Sequence, residues 1–432
     1  MPSRTLRAGA LALVVALSGA AAVIAAQTPS PIDASGQLGE PRAATLAAIP
    51  ADNPQTPQKV ALGRALFFER RLSADGTVSC GSCHQPGRAF TDGRAAAVGV
   101  KGLVGQRNAP SILNALYFKT LFWDGRAVTL EEQALLPIVN TSEMGRPDLA
   151  SAVAAIAAEP RYREAFAAVF GRAPNAPDLA RAIAAYERSQ RAFASPFDAF
   201  RAGEAGALSP AARRGFTLFM GKGRCGGCHA PDAPGGAPLL MDQRFHNTGV
   251  GVGPGRSARD VTELACRTEA RLVAGSVIAL DQAAISSELS ALGSFLVTKE
   301  PADIAAFRTP SLRNVAVTAP YFHDGSAATL WDVVDHYNKG GTANPWLDRG
   351  MRPLGLTEAE IGDLVAFLGS LTSAPYRDLG ERELARQQAI ARVARPARDM
   401  VRAFAPPGPR PDPAAACAPR SAPRTMVAAT AR

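Results

Sequence analysis

Apolar and polar positions alternate with structural meaning in three stretches of this chain. Residues 8–26, "AGALALVVALSGAAAVIAA", form a nearly continuous apolar run behind Arg4 and Arg7 and end in small residues just before Gln27. That order of charged, apolar and small residues is the pattern of a secretory signal, so 1–26 is expected to be a signal peptide cut near Ala25 or Ala26. Left uncut, the same run would serve as a membrane anchor; no other segment approaches a membrane span in length. Near the other end, "LTEAEIGDLVAFLGSLT" at 356–372 pairs Thr357 with Glu360 as a capping box ahead of helically spaced apolar residues, which predicts a closing helix.

The third pattern is written twice. "LFWDGRAVTL" at 121–130 returns as "YFHDGSAATL" at 321–330, two hundred residues later and identical at six of ten positions, with Trp123 replaced by His323. The same offset aligns Pro110, Ser111 and Asn114 with Pro310, Ser311 and Asn314. Each copy ends in Thr followed three residues on by an acid, Thr129 with Glu132 and Thr329 with Asp332. We read the first as a capping box and the second as a looser version, so both should open a helix. Eight residues beyond the caps stand Pro137 and Tyr337.

Composition and charge narrow the class. A chain of 432 residues is long enough for two domains of ordinary size. The net charge of +9 suggests nucleic acid until its placement is read: residues 376–432 hold eleven Arg against five acids, and Arg4 and Arg7 add two more, leaving about one for the body. No nucleic-acid partner is expected. The region 376–432 reads as a basic, solvated and partly disordered tail that opens as an amphipathic helix and ends in Pro- and Ala-rich sequence unlike a packed core, with docking to an acidic partner or an anionic membrane surface as the alternative.

The cysteines carry the chemistry. "CGSCH" groups Cys80, Cys83 and His84, and "CGGCH" groups Cys225, Cys228 and His229. C-x-x-C-H is the arrangement of covalent c-type haem attachment: two thiols three residues apart reach the two vinyl groups of one porphyrin, and the adjoining imidazole takes the proximal position on iron. A four-cysteine zinc site usually brings its pairs within about 15–20 residues, whereas 141 residues separate these. Thioredoxin-like redox pairs lack their strand-to-helix context here. Cys266 and Cys417 stand outside both clusters.

Duplication and haem attachment together predict a mainly α fold of two tandem cytochrome-c-like haem domains, the first over 27–205 and the second over 206–375, with long irregular loops such as 230–300. If each repeated helix lies over the distal face of its haem, Tyr337 offers a phenolate oxygen to the second iron, while Pro137 has no donor and leaves the first iron open. Gln133 lies one turn earlier on the same face, and Glu143 follows in "NTSEMG". An open iron beside an acid/base group is the equipment for cleaving an O–O bond. Other readings stand beside this one: Tyr337 as an ordinary half-buried aromatic, His336 or His246 as the second ligand, His323 as a hydrogen-bonding residue, and Glu143 as a solvated loop acid.

The motifs "RALFFERRLSADGTVSCGSCH", "RNAPSILN", "LFWDGRA", "EMG", "GKGRCGGCH" and "TPSLRNVAVTAPYFHDG" together resemble the bacterial di-haem cytochrome c peroxidases and their relative MauG. The resemblance implies a periplasmic enzyme that reduces hydrogen peroxide at the first haem, with electrons relayed through the second from a c-type cytochrome or another redox protein. It implies that Trp123 lies between the haems, that Gln133, Pro137 and Glu143 form the reactive pocket, and that Asn108 with the Thr318 and Pro320 carbonyls holds calcium. It allows a homodimer. Two departures from the peroxidases, Tyr337 where they carry methionine and Val100 where many carry a movable histidine, point toward MauG and toward oxidation of partner-protein side chains. A di-haem electron carrier without enzymatic activity is the alternative from another class.

Overall fold

The computed structural model describes residues 39–398 apart from 42–43, 46–47, 233–237, 252–263, 266–276 and 287. The expected signal segment, Cys266, Cys417 and the end of the tail lie outside the described residues.

Local rules start most of the helices. In the N-terminal half, α1 (Pro57–Phe67), α2 (Leu130–Val139), α3 (Leu149–Ala157), α4 (Pro160–Phe170) and α5 (Ala176–Ser189) follow one another. Thr56, Thr129, Asp148 and Asn175 cap four of them, each side-chain oxygen accepting an amide of the first turn that has no intrahelical partner. The C-terminal half runs α6 (Pro196–Arg201), α7 (Pro210–Met220), α8 (Val277–Ser286), α9 (Leu330–Asn338), α10 (Glu358–Gly369) and α11 (Arg377–Arg398). A single short antiparallel pair among the described residues, β1 (Phe245–His246) with β2 (Phe307–Arg308), sets Phe245 opposite Arg308. The structure is therefore mainly helical, as the sequence predicts.

The two halves repeat one packing solution. Leu66 and Phe67 of α1 and Ile183 of α5 are buried together in the first core with Phe166. Phe219 of α7 and Leu364 and Phe367 of α10 are buried in the second. Each such side chain contributes about 1.5–3 kcal/mol by leaving water. Both crossings depend on glycine, because a Cβ on Gly63 would sit 1.8 Å from the Ala182 carbonyl oxygen and one on Gly215 would sit 2.0 Å from that of Asp363. In each half the helix before the haem motif thus meets a later helix backbone to backbone.

Where the repeated phrases meet, the bonding is reciprocal: the Asn108 amide donates to the His323 carbonyl at 2.8 Å, and the Arg308 amide donates to the Trp123 carbonyl at 2.8 Å. Phe122 and Phe322 both take positive φ, 64° and 70°, so the two turns share one backbone form.

Two expectations need correcting. The complete capping box belongs to the second copy, where Asp332 returns a bond to the Thr329 amide at 3.0 Å. In the first, the longer Glu132 carboxylate bonds the Val128 amide instead, also at 3.0 Å. The stretch 230–300, expected to be irregular, contains α8, whose Ala284 is buried in a third apolar cluster with Leu292, Phe295 and Trp346. The predicted box at Thr357 and Glu360 opens α10. Tyr376, just before α11, and Leu379 within it pack against the first core; α11 then sets Leu384 against the second and buries Gln387.

Candidate active site

Each haem-attachment motif opens onto a cavity. Cys80, Cys83 and His84 line the first together with Gln133, Pro137 and Glu143. Cys225, Cys228 and His229 line the second together with Tyr337, Thr318 and Pro320. Trp123 and Asn108 line both.

The proximal residues are prepared alike. His84 Nδ1 donates to the Phe90 carbonyl at 3.1 Å and His229 Nδ1 to the Leu240 carbonyl at 2.7 Å. A carbonyl can only accept, so this bond puts the ring proton on Nδ1 and the lone pair on Nε2, the atom an iron requires. Burial lowers the proton affinity of both rings and keeps them neutral. Ala89 and Phe90 reach this geometry through left-handed backbone, φ 50° and 60°. The four motif cysteines form no disulfide; burial pushes the Cys83 and Cys225 thiols up to about 12. Around the first cavity, Arg107, Arg126 and Arg308 each keep one buried guanidinium nitrogen without a hydrogen-bond partner. Neutral axial imidazoles, paired thiols and unsatisfied cationic donors fit a covalently held porphyrin with its acidic side chains.

Helices α2 and α9 bring their repeated faces to the two cavities. Gln133 and Pro137 face the first, Val333 and Tyr337 the second. Pro137 sits inside α2 and offers no amide to the Gln133 carbonyl, while its own carbonyl accepts from the Met144 amide at 3.1 Å. That bond turns the chain so that residues 140–145 fold beneath the cavity. Burial raises the pKa of Tyr337.

Glu143 reaches the first cavity from this turn. Its amide donates to the Asn140 carbonyl at 3.1 Å, and its carbonyl accepts from the amide of buried Val100 at 2.8 Å. Its Oε2 is buried without a hydrogen-bond partner. Burial, then the negative charge of Asp281, push its carboxyl up to about 8, against the opposing pull of Arg126.

The histidine alternatives are separated by geometry. His246 is bonded at both nitrogens, Nδ1 to Asp348 at 2.6 Å and Nε2 to Asp242 at 2.9 Å, and these carboxylates raise its pKa to about 12. Such an imidazolium has no lone pair for iron. His336 Nε2 donates to the Thr248 carbonyl at 2.8 Å. His323 is buried, stacked on Phe307 at 3.5 Å and edge-on to Trp123 at 6.5 Å. The two changed words of the repeated phrase therefore face one another. Trp123 Nε1 donates to the Asn108 carbonyl at 2.9 Å, and the Asn108 amide group donates to the Arg94 carbonyl at 2.7 Å, which turns Asn108 Oδ1 away as an acceptor.

Sequence reasoning missed several residues. Glu187 on α5 is a second buried carboxyl of the first cavity, with Oε2 unpartnered and its pKa raised by burial to about 8. Asp124 and Arg126 lie inside the repeated phrase, and the change from Arg126 to Ser326 between copies was a usable signal. Nothing local marks Asp281.

Two C-x-x-C-H motifs, each with a buried neutral imidazole, and an acid-bearing pocket have the chemistry of a c-type haem enzyme. The family model described as di-haem cytochrome c peroxidase matches residues 57–206. Cytochrome-c peroxidase IdrP1 of Denitromonas iodatirespirans is 39% identical over 327 residues, 75% of this chain and 84% of that protein. Methylamine utilization protein MauG of Methylorubrum extorquens is 35% identical over 328 residues, 76% of this chain and 81% of that protein. A crystal structure of a MauG-like protein associated with microbial copper homeostasis superimposes with a TM-score of 0.62 at 35% identity, covering 76% of this chain and 92% of that one. The chain belongs to the di-haem cytochrome c peroxidase/MauG family. It is an oxidoreductase of the peroxidase type, which sets aside the reading as a mere electron carrier. No helix among the described residues is long and apolar enough to cross a membrane.

Proposed function

We propose that this protein is an exported, periplasmic di-haem peroxidase, built as two haem domains over 27–205 and 206–375, that reduces hydrogen peroxide at the first cavity with electrons received at the second. The observation that carries this reading is the contrast between Pro137 and Tyr337 at the same point of two repeated helices. Cys80, Cys83 and His84 Nε2 would hold the first haem. Cys225, Cys228, His229 Nε2 and the Tyr337 oxygen would hold the second. Bound haem supplies a redox-active iron that takes up peroxide and exchanges electrons.

The protein's own groups manage protons and position. Glu143, with a pKa raised to about 8, is populated in both forms near neutral pH, so it can accept a proton from peroxide at Oε2 and return it to the departing oxygen as water leaves. The Gln133 amide, on the same wall, orients the substrate by hydrogen bonding. Pro137 brings no donor atom into competition. Trp123, reaching both cavities, offers an oxidisable indole between them. Asn108 Oδ1 with the Thr318 and Pro320 carbonyls would hold a calcium ion, a hard cation suited to neutral oxygen ligands.

A small c-type cytochrome is the proposed donor. Tyr337 favours a second reading, a MauG-like enzyme that oxidises side chains of a partner protein, because an anionic oxygen ligand favours oxidised iron more than a thioether does. One experiment tests both. The ferric holoprotein is expected to show a high-spin component that peroxide perturbs, and to oxidise reduced cytochrome c catalytically when peroxide is added. Peroxide reactivity with negligible cytochrome oxidation would discard the cytochrome donor in favour of a protein substrate. Two fully six-coordinate irons inert to peroxide would discard the function itself.

A further inference from the structure

Helix α8 comes from the C-terminal half yet is bonded to the turn that carries Glu143. Asp281, 1% exposed, accepts from Asn140 Nδ2 at 2.6 Å through Oδ2 and from Arg126 Nε at 2.8 Å through Oδ1. Beside it, Gln282 Oε1 accepts from Thr141 Oγ1 at 2.7 Å, and Gln282 Nε2 donates to the Val139 carbonyl at 3.1 Å. From the other side, the Gln106 amide donates to the Ile285 carbonyl at 2.9 Å, and Arg107 Nη2 to the Ser290 carbonyl at 2.5 Å.

The bonds converge on one turn. Asn140, fully buried, accepts the Ser142 amide on Oδ1 at 3.0 Å and the Glu143 and Gly145 amides on its carbonyl. Asp281 therefore fixes the side chain whose other atoms fold 140–145. It also fixes Arg126, whose second carboxylate, Asp124, lies at 2.8 Å. We infer that Asp281 is a positioning residue for the peroxide reaction: by holding Asn140 and Arg126 it presents the Glu143 carboxyl to the first cavity.

The direction of the effect follows from charge. The charged groups around Glu143 are Asp281 from α8, Arg126 with Asp124 from the repeated phrase and Arg107 from the segment before it; Glu187 of α5, Arg308 of β2, His84 and the Cys80 and Cys83 thiols share the cavity. Asp281 is the side-chain charge that most opposes ionisation of Glu143, and it shares the Arg126 guanidinium whose pull favours it. Neutralising Asp281 removes the opposition and frees the guanidinium, so both consequences favour the Glu143 carboxylate. A helix of the second half thereby acts on proton chemistry in the first.

The inference rests on the proposed acid/base role of Glu143, and the test separates the two. The rate of the Soret change on mixing ferric holoprotein with peroxide is followed from pH 5 to 10 in wild type, Asp281→Asn, Asp281→Glu, Glu143→Gln and the Asp281→Asn/Glu143→Gln double variant. Asp281→Asn should move the ionisation limb down by about one pH unit, a tenfold change in acid constant. Asp281→Glu, which restores the charge, should return the limb toward wild type, and in the double variant no limb should remain to shift. A limb unmoved by Asp281→Asn, while Glu143→Gln slows the reaction, overturns the role of Asp281 alone. A Glu143→Gln protein with the wild-type rate overturns the acid/base reading and this inference with it. Should Asp281→Asn not yield folded holoprotein, Asn140→Ser removes the donor that screens the Asp281 charge and should move the limb upward; an unmoved limb there overturns the inference equally.

Discussion

Helices α2 and α9 begin with the same Thr cap and end over equivalent cavities, yet one carries Pro137 where the other carries Tyr337. Around Pro137 the chain gathers ionisable groups: Glu143, Glu187, Arg107, Arg126 and Arg308 all line the first cavity. The second cavity shares Arg308 and adds Arg313 and Asp348, but no glutamate among the described residues lines it, and it presents Val333, Val334 and a phenol on the corresponding helical face. On the proposed reading, a repeated scaffold is specialised by the helix that faces each attachment motif. The C-x-x-C-H motifs and their buried imidazoles stay alike on both sides, whereas the side chains facing them from α2 and α9 differ.

Removing the proton carrier should collapse the distinction most severely. Glu143→Gln keeps the shape of the side chain and loses its acid/base function, so the rate of reaction with peroxide should fall about 10²–10⁴-fold, measured by stopped-flow absorbance. In the wild type, a raised carboxyl pKa of about 8 predicts a rate that climbs with pH toward that value, because the carboxylate is the proton-accepting form. Linkage gives the opposite sign for stability. A carboxyl whose folded pKa lies above its unfolded value contributes a stability that is full at acid pH and declines as pH rises from about 4.5 toward about 8.

The next test exchanges the ligand on the other side. Tyr337→Met would replace the proposed oxygen ligand by a thioether. The reduction potential of the second haem should rise by a measurable part of the roughly 0.8 V that axial ligands span, read by redox titration. Cytochrome c oxidation under peroxide should rise with it, since the second haem becomes a better acceptor. An unchanged potential would mean that Tyr337 is not a ligand and that the two cavities are less different than their helices.

Stability offers a comparison in which the halves should behave alike. Gly63→Ala and Gly215→Ala each force a methyl within about 2 Å of a carbonyl oxygen. Overpacking of this kind costs about 1–3 kcal/mol and, against rigid backbone, more. Both variants should lose several degrees of Tm by calorimetry, and equal losses would show that the two helix crossings are equivalent in energy as well as in form.

Much of this was legible because it is local. C-x-x-C-H brings two cysteines and a histidine to each cavity within five residues, the threonine caps mark α2 and α9, and the two-hundred-residue offset pairs Pro137 with Tyr337. What the sequence hid is long-range. Arg126 and Asp281 are 155 residues apart, and no periodicity announces their ion pair. His246 could not be separated from an iron ligand until Asp242 and Asp348 were seen on its two nitrogens. The capping boxes were ranked in reverse because Glu132 and Asp332 differ by one methylene, and only geometry shows which backbone amide each carboxylate reaches.

The smallest expected effect concerns the helix that joins the halves at their end. Gln387 of α11 is fully buried: Nε2 donates to the Ala316 carbonyl at 3.1 Å, and Oε1 accepts from the Leu330 amide at 2.9 Å. Leu330 is the first residue of α9, so this bond satisfies an amide that the Thr329 cap leaves to others. Gln387→Leu keeps much of the volume and strips these bonds together with the contact to the Tyr321 hydroxyl, 3.0 Å from Nε2, leaving a buried amide and carbonyl without this partner at about 1–3 kcal/mol. The loss should appear as a lowered Tm together with faster amide exchange at the start of α9, with α2 unaffected because its Thr129 end is capped without α11. Equal loosening of both helices would show that the tail helix braces the whole molecule rather than the half that carries Tyr337.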